Sequence, residues 1–331
     1  MILRAGNLNI MKPIALLFFT GLVHWSLQSV AAGPVLQIQP GANDTSILRD
    51  GRLAFVYRSD ATLYKPYVAL LTTPSGLNIL RDAPADHAHH HGLMFALTAN
   101  DVDFWGEKVA TRPGKQVRTG VPQYSGRGDI SFSSYSLRET LQWQDATNGE
   151  VLVNENRRVE FHRLAEDSDC HLVTWQSVLT PAADKGSVVL SGHHYFGLGM
   201  RFAESMDIGG EFLYADSETK TETVRGDERL ARSRWCAFQG LCQGKPVTVA
   251  MFDLPSNPRQ PATWFTMQKP FVYLSATMDV WRAPFRLSLP QPLAVTYGVA
   301  VWDGHVLASQ VEVAYRKWLL LLPEELVERQ K

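Results

Sequence analysis

Between residues 33 and 330 the chain never runs far without a break. Clusters of Gly, Pro, Asn or Asp recur about every eight to fifteen residues, and short runs rich in β-branched and aromatic side chains lie between them. RLAFVYR, VLVNENRRVEFH, CHLVTWQSVLTP, PVTVAMFD and LAVTYGVAVWDG are examples. Parallel βαβ units need a crossover of a dozen or more residues, usually helical, and this spacing leaves no room for them. The pattern predicts an all-β fold, a large sandwich or barrel of antiparallel strands. Within VNENRRVEF, Val151, Val153, Glu155 and Arg157 share one side of a strand, and the alternation resets near Val159. One helix is expected near the C-terminus, in GHVLASQVEVAYRKWLLLLPEELVERQ. Val306, Ser309, Val313, Lys317 and Leu320 lie near one face, with Leu307, Val311, Ala314 and Trp318 beside it. Asp303 is the candidate N-cap and Pro323 the break.

The first 32 residues read as a signal peptide: Lys12, then an apolar core from Pro13 to Val23, then the small residues of SVAA. That core is too short to span a bilayer, and no later stretch is apolar for long enough. The expectation is an exported protein, periplasmic or extracellular, with a single β-sandwich domain over 33–331. Its net charge of −1 gives no basic surplus for a nucleic-acid partner. An exported setting permits disulfides. Of the three cysteines, Cys236 and Cys242 flank AFQGL, where a hairpin tip would allow a bridge, and Cys170 reads as a small buried residue. The polar run 216–234 reads as an exposed excursion.

The chemistry-bearing stretch is DHAHHHG. Taken as a strand, it puts His87, His89 and His91 on one face and His90 on the other. His-x-His on a strand suits two ligands of one metal, and zinc, manganese or iron would fit. A third ligand would come from His193, His194, Asp101, Asp103 or Glu107. The alternatives are imidazoles that bind hydroxyls or move protons without a metal, or a purely structural turn. A second pair, His193 and His194, lies in LSGHHYFGLGMRF ahead of Tyr195 and Phe196. Aromatic rings beside an imidazole suit a sugar, whose C–H face stacks on the ring while the imidazole transfers a proton near neutral pH. Trp105, Trp143, Trp235, Trp264, Trp281 and Trp302 would line a carbohydrate cleft or fill the core. FDLPSNPRQPATWF reads as a Pro-punctuated loop in which Asn257 and Arg259 contact an anion or hydroxyl.

Three blocks in order carry a resemblance to a known family: KPYVALLTTPSGLNILRDAPADHAHHHGLMFALTANDVDFW, RSRWCAFQGLCQGKPVTVAMFDLPSNPRQPATW and VTYGVAVWDG. The chain resembles an exported bacterial family of unknown function that carries the label "methane oxygenase PmoA". Ala88 and His91 depart from that family's pattern, where Pro and Arg are usual, so the resemblance supports His87, His89 and His90. The membrane methane monooxygenase subunit of the same name spans the bilayer several times, which this chain does not, so methane oxidation is not the expected activity. GHHYFGL also resembles the general-acid strand of galactose mutarotases. That resemblance implies a β-supersandwich with a C-terminal helix and places His193 at the acid position. The general-base Glu of those enzymes has no counterpart here, Asp279 being the nearest acid.

Together these readings predict an exported carbohydrate-active protein. It would be an enzyme doing acid–base chemistry on a sugar or glycoside (lyase, epimerase or hydrolase), with a divalent metal as a candidate cofactor. The alternative is a non-catalytic glycan-binding module with a small-molecule or oligosaccharide ligand. His87 and His89 would bind metal or substrate. His193 or His194 would transfer the proton, with Glu204 or Asp103 as partner carboxylate. His90, Trp105, Tyr195, Arg201, Asn257 and Arg259 would contact substrate.

Overall fold

Alternation of apolar and polar residues along long strands builds two large antiparallel sheets whose apolar faces meet. The computed structural model describes residues 1–2, 36–128, 132–164 and 170–323. The signal-peptide segment lies almost wholly outside them. The described residues from Leu36 to Pro323 belong to one compact unit.

Among the described residues one sheet has ten strands, running from Leu36–Pro40 through Asp44–Arg49, Arg52–Arg58, Tyr67–Leu71, Leu93–Ala96, Gly197–Arg201, Tyr273–Thr277 and Thr263–Met267 to Arg229–Arg232 and Thr221–Thr223 at its far edge. The other has eight, from Glu211–Tyr214 through Trp235–Cys242, Lys245–Asp253, Leu293–Asp303, Cys170–Pro181, Val151–Leu164 and Phe132–Asp145 to Gly114–Gly128. A small four-stranded sheet, which includes Ser187–Ser191, sits beside them. The fold is an all-β sandwich with a C-terminal helix.

Rings from opposing sheets meet in the core: Phe55 with Phe161 at 6.1 Å, Tyr57 with Trp175 at 6.2 Å and Phe95 with Trp143 at 6.0 Å. The strand Val151–Leu164 departs from its sequence reading. Its alternation does not reset at Val159 but continues inward through Val153, Glu155, Arg157, Val159 and Phe161, all buried. The irregularity lies instead at the other end, between Val151 and Val153. Two of these inward residues are charged. Arg157 and Glu155 pair at 2.8 Å with both side chains fully buried. Arg157 also donates to Tyr57 Oη (3.1 Å) and the Pro66 carbonyl (3.1 Å) of the opposite layer, and to Gln116 Oε1 (2.9 Å). Glu155 accepts from Trp143 Nε1 at 2.7 Å and Ser177 Oγ at 2.5 Å.

The helix Ala308–Leu321 buries Val311, Tyr315 and Trp318 against the outer face of the eight-stranded sheet, where Phe252 and Trp235 lie. Val313 and Leu320, which the sequence groups near one face, are exposed. The N-cap is Leu307 and not Asp303. Asp303 ends a strand, and its carboxylate accepts from Ser75 N at 2.8 Å and Ser75 Oγ at 2.5 Å. Pro323 does follow the helix end. Cys236 and Cys242 are free. They lie in one continuous strand, Trp235–Cys242, and not across a hairpin tip. Six residues of extended chain hold them about 20 Å apart, far beyond disulfide reach. The polar run 216–234 is not a plain excursion, since it supplies the last two strands at one side of the ten-stranded sheet, Thr221–Thr223 at the edge and Arg229–Arg232 next to it.

Removing Arg157 leaves two carboxylates, Glu155 and Glu139, buried without their cation. The expected cost of Arg157→Ala is about 3–5 kcal/mol, measured by denaturant unfolding, with Glu155→Leu/Arg157→Met recovering part of it.

Candidate functional site

The DHAHHHG stretch is a turn and not a strand. Pro84, Asp86 and a lack of β-branched residues favour it, and the main chain closes it: His87 N donates to Pro84 O (3.0 Å), His90 N to His87 O (2.8 Å) and Ala83 N to His90 O (2.9 Å). An antiparallel bridge between Asp82 and His91 ties its ends. The face-sharing set His87, His89, His91 therefore does not form. The turn instead gathers His87, His89 and His90, with ring centroids 5.8, 4.7 and 4.6 Å apart in pairs.

His91 goes elsewhere. Its Nδ1 pairs with Asp82 at 2.7 Å, its Nε2 with Glu107 at 3.0 Å, and its ring stacks on Tyr67 at 4.3 Å. Fully buried Lys65 completes the chain, 2.5 Å from Glu107 Oε1 and 2.9 Å from the Trp105 carbonyl. Burial opposes both charged forms, but the hydrogen bonds win. His91 holds its proton more tightly than a free imidazole. The hydrogen bond from His91 and the charge of Lys65 pull the Glu107 carboxyl down to about 2.

The three gathered histidines line a cleft of ≈ 430 Å³ with Tyr195, Phe265, Met267, Phe271, Tyr273, Arg225 and Glu228. Burial is the main cause that pushes His90 down to about 2, reinforced by the neighbouring imidazoles, so it stays neutral. Burial also lowers His89. His87 Nδ1 lies 2.9 Å from Asp86 Oδ2, a contact that fixes the ring and leaves Nε2 for other partners. Across the cleft Arg225 Nε grips both oxygens of Glu228 at 3.0 and 2.9 Å, and His194 Nε2 approaches Glu228 Oε2 at 3.0 Å. His193 and His194 thus sit in a turn between strands Ser187–Ser191 and Gly197–Arg201, not within a strand. His193 is exposed and stacks on Tyr195 at 5.6 Å.

Behind the cleft wall Trp105 is buried, stacked on Phe196 at 4.9 Å and edge-on to Tyr195 and Tyr273. Gly199 makes this packing possible, because any side chain there would collide with Tyr273 and Trp105. Buried polar atoms without partners gather here: His90 Nδ1, Trp105 Nε1 and Tyr273 Oη.

The other expected residues lie away from this cleft or serve it from behind. Asp103 accepts from the backbone N–H groups of Trp105 (2.7 Å) and Gly106 (3.0 Å), shaping the turn that carries Trp105. Glu204 is exposed and pairs with Arg81 at 3.3 Å. Asn257 is buried, its amide spent on Asp253 (2.7 Å) and the Thr296 backbone (2.7 and 2.8 Å). Arg259 braces its own loop by donating to the carbonyls of Met278 (2.8 Å) and Asp279 (3.1 Å). Arg201 lies buried under Phe271. Trp143, Trp235 and Trp264 are fully buried core.

Sequence reasoning missed Arg225, Glu228, Phe265, Phe271 and Tyr273, which come from three separated segments with no motif of their own. A second cavity of ≈ 410 Å³, lined by Arg138, Asn156, Arg158 and Gln176 among others, has neither imidazole nor aromatic ring in its wall. Among the described residues no group of three or more His, Cys, Asp or Glu side chains is arranged to hold a metal ion. No helix among them is long and apolar enough to cross a membrane.

Residues 44–316 match the model of a family of unknown function, DUF6807, and the chain belongs to that family. The resemblance read from the three sequence blocks holds at that level. No curated protein matches the sequence. Solved structures with a similar fold include the galactosidase domain of an α-galactosidase–sucrose kinase, AgaSK (8% identity, TM-score 0.44, covering 82% of this chain and 42% of that one). A protein assigned as an aldose 1-epimerase from Klebsiella pneumoniae aligns at 10% identity and TM-score 0.40, covering 90% and 88%. A galactose mutarotase related enzyme from Lactobacillus acidophilus aligns at 7% identity and TM-score 0.37, covering 82% and 100%. The chain spans about two fifths of the galactosidase it aligns with.

Glu107 makes the base of the histidine turn acid-sensitive. Its folded pKa is depressed from 4.5 to about 2, so its contribution is complete above 4.5 and is lost as pH falls toward 2. The shift corresponds to about 3 kcal/mol. Unfolding free energy measured from pH 6 to pH 2 should fall less steeply in Glu107→Gln than in the unmodified protein.

Proposed function

We propose that this DUF6807 member binds a sugar in the cleft and performs proton-transfer chemistry on it. One observation carries the reading: a single cleft sets neutral imidazoles on one side and an Arg-held carboxylate on the other, with aromatic rings between them. Tyr195, Phe265 and Tyr273 offer faces for the C–H groups of a pyranose ring. Glu228 and Arg225 accept from and donate to its hydroxyls, and His194 positions Glu228. His89, half-buried and neutral at pH 7, acts as the base, and His87, oriented by Asp86, serves as its partner. One imidazole takes a proton, from a ring carbon in an epimerase or lyase or from water in a hydrolase, and its partner gives one to the inverted carbon or the leaving oxygen.

A divalent metal remains part of the proposal only through His87 and His89, with the remaining ligands coming from substrate or solvent. The protein is proposed to act outside the cytoplasm, since residues 1–32 read as a cleaved leader. Mass spectrometry of the mature chain from its host should find an N-terminus at residue 32 or 33.

The test is a panel of mono- and oligosaccharides in deuterated water, followed by NMR, with and without zinc, manganese or chelator. Deuterium incorporation or new sugar signals are expected, falling about 10²–10⁴-fold in His89→Ala. Because burial lowers His89, activity should rise with pH at a point below 6.5 and then hold through neutral pH. Stoichiometric binding that Phe265→Ala weakens, with no turnover under any condition, would establish the binding module instead. A panel with no binding at all overturns the sugar reading.

A further inference from the structure

The aromatic wall of the cleft hides a cation with too few partners. Arg201 closes the strand Gly197–Arg201, with its side chain only 1% exposed. Its Nε and Nη1 have no hydrogen-bond partner. The nearest carboxylate, Asp207, stands 3.8 Å from Nη2. Asp207 is already committed, since it accepts from Val272 N at 2.8 Å and lies 3.9 Å from a second guanidinium, that of Arg81. Removing a guanidinium from water costs several kcal/mol unless charge-assisted hydrogen bonds replace its hydration. Here that replacement is incomplete.

What covers Arg201 is Phe271. Its ring centroid lies 3.4 Å from the guanidinium carbon, a cation–π contact that offsets part of the cost. The same ring lines the cleft and touches His87 at 4.9 Å and His90 at 5.7 Å. One aromatic ring therefore separates the imidazoles from the unsatisfied cation. Phe271 stands in the short bend 268–272 between strands Thr263–Met267 and Tyr273–Thr277, outside the ladder that pairs them.

We infer that Arg201 is the cleft's anion-recognition residue and that the sugar bound there carries a carboxylate, as uronic acids do. The inference rests on the sugar-binding reading of the cleft. On binding, the Phe271 ring moves aside and the ligand carboxylate accepts from the unpartnered Nη1 end of the guanidinium. A planar carboxylate suits a guanidinium better than a single hydroxyl does. Arg225, the cation on the cleft wall itself, is already paired with Glu228, so selectivity for the anion falls to Arg201.

The decisive comparison uses the unmodified protein. Calorimetry measures binding of D-galacturonate and D-glucuronate, as monosaccharides and short oligomers, against their uncharged primary amides and the parent neutral sugars. The carboxylates should bind about 10- to 100-fold more tightly than the amides. Arg201→Met should abolish that preference, so that carboxylates bind no better than their amides, and Arg201→Lys should restore part of it. Equal affinity for acid and amide, with neutral sugars still bound, overturns the inference and leaves the sugar reading intact. Arg201 would then be a brace for Phe271. If no sugar of either kind binds, both fall together.

Discussion

The Arg157 guanidinium reaches from one sheet of the sandwich to the other, and the geometry of the core follows from what it requires. A cation sealed between apolar faces needs every donor engaged. Glu155, Tyr57, Gln116 and the Pro66 carbonyl meet that need. Gln116 in turn donates to the Phe95 carbonyl at 2.9 Å, in the strand that follows the histidine turn. The polar core thus fixes how the two layers register and, through Phe95, the position of the segment that carries the site. Apolar burial drives the layers together without direction. This network supplies the direction.

Strand content was plain in the sequence because period-2 alternation and turn residues are local signals. Val151–Leu164 was legible as a strand with Glu155 and Arg157 on one side, but the burial of that side was not. Charged residues are seldom fully buried, and only the partner sheet shows that these are paired. The helix was legible as an element but its buried face was not, since Val311, Tyr315 and Trp318 are chosen by the Phe252 and Trp235 surface they cover. Cys236 and Cys242 misled because AFQGL resembles a turn by composition, while in the fold it is an uninterrupted strand.

The site was half legible. Four histidines in five residues mark chemistry wherever they fall, but a strand reading grouped His91 with His87 and His89. The main-chain hydrogen bonds of a turn regroup them, leaving the three positions that the family resemblance supports. Glu228 and Arg225 sit in a polar run that reads as surface, and only the pairing of Arg229–Arg232 with Thr263–Met267 brings them to the cleft. Asn257 and Arg259 show the opposite error: conspicuous polar residues in a loop whose hydrogen bonds are all internal.

The turn 82–91 divides its labour. Its backbone bonds and the bridge between Asp82 and His91 hold its shape, and the buried chain through Glu107 to Lys65 anchors its end. None of this asks anything of the rings at 87 and 89 or of exposed Ala88. Selection can therefore redraw the chemistry at these positions with little effect on folding, while position 91 is bound to its acidic partners. Among relatives that keep this architecture, the tip of the turn is where ligand preference can diverge, and its root is where exchange demands a compensating change at Asp82 or Glu107.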